Sequence, residues 1–315
     1  MEHVPVMVQE IMSHLDPKPG NVVADGTLGL GGHALEFCKR IAPGGHLFGF
    51  DWDEKMFAEA TNRLSVVKDV KVTLTAQDFR QAPAVLDRNQ ARPNAVLLDL
   101  GLNSGQVDDA ERGMSFREVG PLDMRMDVRV GEPASAWLNR ATLDEIDNVL
   151  RDYGDERWAR AIARAILARR KEQPLRTTED LVECVLAAIP VGARDKRLHP
   201  ATRTFQAIRI FINGELEELS EAIVALAERL ADGGAIAVLS YHSGEDRVVK
   251  GAFRELAKEG FREELRKPQL PTDAEIARNA RSRSARLRVL RKLDHSSVGR
   301  QEVDRQETQD EYQTN

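Results

Sequence analysis

The residues best suited to chemistry lie in a glycine-rich segment near the start of the chain. This segment runs from Asp25 to His33, directly after a predicted strand and directly before a predicted helix. Glycines there let the backbone turn sharply and approach a ligand closely, because no Cβ stands in the way. The stretch from Gly29 to Ala34 fits the pattern G-x-G-x-x-A, and Asp51 follows Gly29 by 22 residues, where a ribose-binding acid belongs. The pattern predicts a site for a cofactor that contains a nucleoside.

Four acidic residues stand at or just past the ends of predicted strands: Asp25, Asp51, Asp78 and Asp99. Ligands of open parallel sheets bind outside the carboxyl ends of the strands, so these acids should line one crevice. Carboxylates suit the ammonium and sulfonium groups of S-adenosylmethionine, whereas a nicotinamide dinucleotide mainly needs a helix N-terminus for its pyrophosphate. Phe79 offers a flat apolar surface for adenine. The acids favour S-adenosylmethionine, and a nicotinamide cofactor remains the alternative.

The elements that must position these residues are short strands that alternate with helical segments. The predicted strands cover residues 21–24, 46–50, 70–74, 95–98 and, much later, 235–239. Strands that alternate with helices require right-handed crossovers and therefore a parallel, doubly wound sheet. The fold class is accordingly α/β with a Rossmann-like sheet.

The alternation stops between the fourth and fifth strands, where the chain is helical throughout. Thr142 and Thr177 each begin a capping-box pattern, which marks a helix start. We predict a discontinuous core of residues 1–109 and 200–295, a helical insertion of residues 110–199 for substrate recognition, and a disordered tail of residues 296–315. An apolar stripe from Phe205 to Leu226 predicts one long helix that returns to the core.

The composition describes a globular chain and excludes several classes of protein. The 315 residues are 42% hydrophobic and 30% charged, which is unlike a disordered or fibrous chain. No apolar run reaches the roughly 20 residues of a membrane-spanning helix, and the N-terminus lacks the features of a secretory signal. We therefore expect a cytoplasmic protein with no membrane partner. Two distant cysteines and scattered histidines predict neither a disulfide framework nor a metal site.

The formal net charge of −6 hides a basic segment near the C-terminus. Residues 278–292 carry seven arginines and lysines and no acid, with Leu287, Val289 and Leu290 among them. A segment of this kind can pack one side and show cations on the other, so it is a candidate phosphate-binding surface.

Long motifs over most of the chain then point to one family. The chain resembles the ribosomal RNA small subunit methyltransferase H family, which uses S-adenosylmethionine to methylate N4 of a decoding-centre cytidine, position 1402 of 16S rRNA. The matching stretches are 3–6, 25–33, 98–106, 108–113, 120–127, 153–157, 199–207, 240–243 with 245–247, and 281–288. The resemblance implies a class I methyltransferase fold, 16S rRNA or the small ribosomal subunit as partner, and a monomer or homodimer.

The resemblance also implies roles for individual residues. The cofactor contacts carried over are Gly31, Gly32, His33, Asp51, Phe79, Asp99 and Gln106. A cytosine amine is a poor nucleophile, so Asp99 or Asn103 is expected to accept its protons, and His242 is a candidate proton acceptor. The arginines expected to contact RNA are Arg157, Arg164, Arg281, Arg283, Arg286 and Arg288.

The sequence departs from the family pattern at three places. Gly105 replaces a usual proline beside Gln106, Gly244 replaces a leucine, and Ala280 stands where Asn-Pro-Arg is usual. The proline-rich motif that many amino-methyltransferases carry after the fourth strand is absent as well. Two alternatives remain: a nicotinamide-dependent oxidoreductase, favoured by the glycine loop and Asp51, and a non-catalytic RNA-binding protein, favoured by the basic segment.

Overall fold

The computed structural model describes residues 5–102, 104–195 and 198–294 and divides the chain into two compact units. The first unit combines residues 1–101 with residues 218–315, and the second unit comprises residues 102–217. The predicted tail of residues 296–315 and the predicted catalytic Asn103 lie outside the described residues.

A seven-stranded sheet forms the centre of the first unit, in the strand order β3-β2-β1-β4-β5-β7-β6. Its strands are β1 (Val22–Asp25), β2 (Gly45–Phe50), β3 (Val70–Thr75), β4 (Ala95–Asp99), β5 (Ala235–Ser240), β6 (Phe261–Glu263) and β7 (Arg286–Lys292). β1 to β5 are parallel, which confirms the five predicted strands and the Rossmann-like fold class. β7 is antiparallel to both β5 and β6, so the sheet is mixed and not parallel throughout.

The helices fall into two groups along the chain. Those of the first unit are α1 (Val8–Leu15), α2 (Gly32–Ile41), α3 (Glu54–Leu64), α4 (Ala82–Arg88), α11 (Leu219–Glu228), α12 (Ser243–Leu256) and α13 (Asp273–Arg278). Those of the second unit are α5 (Ser104–Asp108), α6 (Ala134–Arg140), α7 (Leu143–Gly154), α8 (Ala159–Glu172), α9 (Thr178–Ala188) and α10 (Thr202–Asn213). Within the described residues, no helix is long and apolar enough to cross a membrane.

One apolar core joins α2 to the central strands of the first unit. Phe37 and Ile41 on α2 are fully buried and pack in one cluster with Val23 on β1, Leu47 on β2 and Leu97 on β4. Phe37 and Ile41 lie on the inward side of α2, whose apolar positions recur at helical spacing. The packing holds α2 against the central strands of the sheet.

The described residues of the second unit form helices joined by irregular segments, and they have a separate core that includes Trp137, Ile146 and Ile162. The predicted capping boxes at Thr142 and Thr177 are both present.

The boundaries of this unit differ from the predicted 110–199, because α10 packs Phe205 and Ile208 into the helical core. The predicted long helix is therefore two helices. The first ends at Gly214, which has a φ of +56°, and the second begins after Glu218 and belongs to the first unit. The apolar period continues across the break, so periodicity alone did not reveal it.

Candidate active site

The glycine loop between β1 and α2 is held close to its neighbours. A Cβ at Gly26 would collide with the Leu98 side chain and lie 3.0 Å from the Cβ of Phe79, and a Cβ at Gly32 would lie 2.8 Å from Pro5. Gly31 caps α2 with a φ of +74°, a conformation that favours glycine. The loop thus brings backbone N–H groups to the carboxyl edge of the sheet.

Asp51 ties the end of β2 to this loop. Its Oδ2 accepts a hydrogen bond of 2.7 Å from Gly29 N, and its Oδ1 accepts one of 2.9 Å from Asp53 N. Burial raises the pKa of this carboxyl group to about 7, against the opposing effect of those two backbone donors. Its placement one residue after β2 agrees with the position of a ribose-binding acid.

Asp25, His33, Asp99 and Tyr241 lie together at the ends of β1, β4 and β5, and we call them the Asp99 cluster. The Tyr241 hydroxyl donates a hydrogen bond of 2.7 Å to Asp99 Oδ1, and His33 Nε2 lies 3.4 Å from Asp99 Oδ2. Asp25 is 1% exposed, and burial raises its pKa to about 6. Among the described residues, Asp25 Oδ2 and both ring nitrogens of His33 have no hydrogen-bond partner. Buried polar groups are almost always paired, so these atoms mark a place for a polar ligand.

Two aromatic rings stand beyond the ends of β2 and β3. Phe79, which the sequence predicts to contact adenine, is half-buried and follows Asp78, which caps a short 3-10 helix, Phe79–Gln81. Arg80 binds Asp78 at 2.8 Å, and its guanidinium lies 5.5 Å from the ring centroid of Trp52. The sequence analysis missed Trp52, although an aromatic residue directly after the candidate ribose acid Asp51 was a usable signal.

The arrangement fits a cationic, nucleoside-containing cofactor. The unpartnered, buried oxygen of Asp25 suits a positive group, because a buried carboxylate gains most from an opposite charge nearby. The carboxylate of Asp51 and the rings of Trp52 and Phe79 are the usual kinds of surface for a ribose and a purine. The donor set is therefore that expected for S-adenosylmethionine.

The remaining predicted catalytic and cofactor residues are placed as follows. Gln106 is buried on α5 in the second unit. His242 begins α12: its Nδ1 accepts a hydrogen bond of 3.3 Å from Glu245 N, and its Nε2 lies 3.2 Å from Glu245 Oε1. Nδ1 thus caps the helix, whereas Nε2 is buried without a hydrogen-bond partner among the described residues. A role for His242 as proton acceptor stays a prediction.

The predicted RNA-binding arginines do not share one environment. Arg157 and Arg164 are exposed in the second unit, and Arg281 and Arg283 are exposed in the first. Arg286 and Arg288 lie on β7, and Arg288 is 4% exposed and binds Asp246 at 2.7 Å.

For Arg288 the prediction was therefore wrong, because its guanidinium forms a buried ion pair between β7 and Asp246 of α12. The alternating arginines and apolar residues of this segment signalled a strand as much as a basic surface.

The sheet and the residues at its carboxyl edge define a Rossmann-like protein with a site for a cofactor that contains a nucleoside and a positively charged group. Residues 1–293 match the model of the MraW methylase family, and the chain belongs to that family. This confirms the predictions of a methyltransferase and of S-adenosylmethionine as its cofactor, over the oxidoreductase and the non-catalytic alternatives.

Curated relatives of similar length cover almost the whole chain. Proteins called "Ribosomal RNA small subunit methyltransferase H" from Heliobacterium mobile and Geotalea uraniireducens are 41% and 42% identical to it. The matches cover 92% of this chain, and 99% and 98% of the respective relatives. Among solved structures, an rRNA methylase from Streptococcus thermophilus aligns over 91% of this chain and 94% of its own, at 12% identity and a TM-score of 0.40. At that similarity, the solved structure adds no evidence about function.

Proposed function

We propose that the protein methylates small-subunit ribosomal RNA, and that the acceptor is N4 of the decoding-centre cytidine in 16S rRNA. The observation that carries the substrate class is the similarity to relatives called small subunit methyltransferase H over 92% of the chain. The observation that favours an amine as acceptor is Asp99, a carboxylate fixed at the end of β4 by Tyr241.

The chain's own residues would hold the cofactor in a defined way. Asp51 would bind the ribose hydroxyls, Trp52 and Phe79 would flank the adenine, and Asp25 with the Gly31–His33 backbone would hold the methionyl end. When bound, S-adenosylmethionine supplies an electrophilic methyl group on a positively charged sulfur. The buried carboxylates favour that positive charge and disfavour a neutral product.

Asp99 would act on the acceptor base. The lone pair of a cytosine amine is delocalised into the ring, so the nitrogen attacks only if its protons are held and its geometry is shifted. The side chain of Asp99 is 22% exposed, so one face of the carboxylate is open to a substrate. It would accept a hydrogen bond from the amine, align the nitrogen with the methyl group, and take up the proton that the nitrogen loses.

The RNA backbone would be held outside this site by exposed arginines. Arg157 and Arg164 in the second unit and Arg281 and Arg283 in the first are exposed and carry the charge that phosphate binding requires. A cytidine inside an RNA helix would have to unstack from its neighbours to reach Asp99 at the carboxyl edge of the sheet.

The decisive experiment transfers a labelled methyl group from S-adenosylmethionine to 16S rRNA or to assembled small subunits and identifies the modified nucleoside by mass spectrometry. We expect N4-methylcytidine at one position. We expect Asp99→Asn to lower the single-turnover rate by roughly 100-fold or more, since it removes a charged acceptor in the transition state. Asp16→Asn, which changes an exposed acid on the same unit, serves as the control. A different methylated nucleoside, or an Asp99→Asn variant as fast as the wild type, would contradict the proposal.

A further inference from the structure

Tyr241 reaches Asp99 because β4 and β5 are parallel neighbours in the sheet. Their register pairs Asp99 with Leu239, and Leu100 N donates a hydrogen bond of 3.0 Å to Leu239 O. Tyr241 follows Leu239 by two residues. Because side chains alternate between the two faces of a sheet, Tyr241 lies on the same face as Asp99. The hydroxyl then lies at hydrogen-bond distance, 2.7 Å, from Asp99 Oδ1.

Tyr241 is itself held rigidly by the start of α12. Its backbone N donates a hydrogen bond of 2.7 Å to Glu245 Oε2, and Glu245 is 2% exposed. A Cβ at Gly101 would lie 3.5 Å from Tyr241 Cδ2, which places the ring against the turn that follows β4. Burial, together with the negative charge of Asp99, holds the pKa of Tyr241 well above its usual value, so the hydroxyl remains a donor.

Three groups surround Asp99, and of these the Tyr241 hydroxyl is the one that donates a hydrogen bond to its carboxylate. Its backbone N donates a hydrogen bond of 2.6 Å to Thr27 Oγ1, its Oδ1 accepts the Tyr241 hydroxyl, and its Oδ2 faces His33. The terminal torsion of an aspartate is soft, so without the Tyr241 hydroxyl the carboxylate plane would be less restrained. Placement of an acceptor to within a fraction of an ångström is what the reaction of a weak nucleophile requires.

We propose that Tyr241 is a positioning residue, which fixes the carboxylate plane of Asp99 so that the open lone pairs of Asp99 meet the substrate amine. The inference rests on the proposed function, in which Asp99 accepts the amine protons. Tyr241 touches neither cofactor nor substrate in this role and acts only through the hydrogen bond to Asp99 Oδ1. The turn at the end of β5 thereby becomes part of the reaction machinery.

The test compares Tyr241→Phe, which removes only the hydroxyl, with Tyr153→Phe as a matched control. Tyr153 is a half-buried tyrosine on α7 whose ring lies 6.4 Å from that of Phe211 in the helical core of the second unit. We expect Tyr241→Phe to lower the single-turnover rate at saturating cofactor and RNA by roughly 10-fold or more, the range for a hydrogen bond to a charged group. The affinity for S-adenosylmethionine by calorimetry should stay within about 3-fold of wild type, and Tyr153→Phe should be unchanged in both measurements.

A double-mutant cycle separates a positioning role from a general structural one. Because Tyr241 acts through Asp99, adding Tyr241→Phe to Asp99→Asn should lower the rate by less than about 3-fold further. Full additivity of the two effects would overturn the inference, as would a Tyr241→Phe variant with wild-type turnover. Loss of cofactor affinity in parallel with rate would also overturn it, since that result indicates a distorted site. Failure of the proposed function is distinguishable, because the wild type and Tyr153→Phe would then fail to form N4-methylcytidine at all.

Discussion

Asp25 should make the stability of the protein depend on pH in an unusual direction. Its carboxyl group is 1% exposed, and burial raises its pKa from 3.8 to about 6. In the pH range between these two values, the unfolded chain has lost the proton that the folded chain keeps. Stability is therefore lost as the pH rises through this range and is constant above it. Full ionisation of Asp25 costs about 3 kcal/mol, and about 2.5 kcal/mol of that loss falls between pH 4 and pH 8.

Asp25→Asn tests this directly, because an amide of the same shape does not ionise. We expect the free energy of unfolding of the variant, relative to wild type, to increase by about 2 to 3 kcal/mol between pH 4 and pH 8. Urea denaturation without cofactor at several pH values measures the difference, and Asp16→Asn controls for the loss of an exposed acid. The same variant should bind S-adenosylmethionine more weakly at pH 8, since it lacks the negative charge. A difference in stability that is the same at pH 4 and pH 8 would refute the reasoning.

Three further predictions follow from the loop, the helix start and the basic surface. Gly26→Ala should weaken cofactor binding in calorimetry and lower the free energy of unfolding by about 1 to 3 kcal/mol, because its Cβ would collide with the Leu98 side chain. A variant with wild-type affinity and stability would contradict this. His242→Ala should lower the free energy of unfolding by about 1 kcal/mol through loss of the cap on α12, and His242→Asn should restore most of that free energy. The single-turnover rate of His242→Asn then tests whether the imidazole accepts a proton, since a wild-type rate excludes that role. Methylation by the wild type should fall by roughly 10-fold or more between 50 and 200 mM salt, and replacement of both Arg281 and Arg283 by alanine should flatten that dependence; a flat response in the wild type would exclude docking through phosphates.

The sequence was sufficient to predict the parallel strands and the residues at their ends. Alternation of strand and helix predicts that Asp25, Asp51 and Asp99 each follow a parallel strand, and the carboxyl ends of parallel strands share one edge. The contact between Tyr241 and Asp99 was not predictable in the same way. It depends on β5 pairing with β4 across the whole second unit, and local patterns carry no information about that order.

Charge patterns were the least reliable guide to position. Arg288 belongs to a segment with no acids, yet it is buried against Asp246, which stands on a helix more than forty positions earlier in the chain. A buried arginine needs an acidic partner, and here that partner is far away in the sequence, so the residues around β7 do not reveal it. Local basic character therefore predicted a surface where the fold forms an internal strand.

The pairing of β4 with β5 also imposes a delay on folding during translation. Because the entire second unit is translated between the two strands, β4 emerges from the ribosome with one edge unpaired and waits for its neighbour. At about 5–20 residues per second, this delay lasts several seconds or more, during which the nascent sheet exposes backbone donors and acceptors to other chains. The early appearance of a self-contained helical unit, with its own core, shortens the stretch of unstructured chain that must close before β5 arrives.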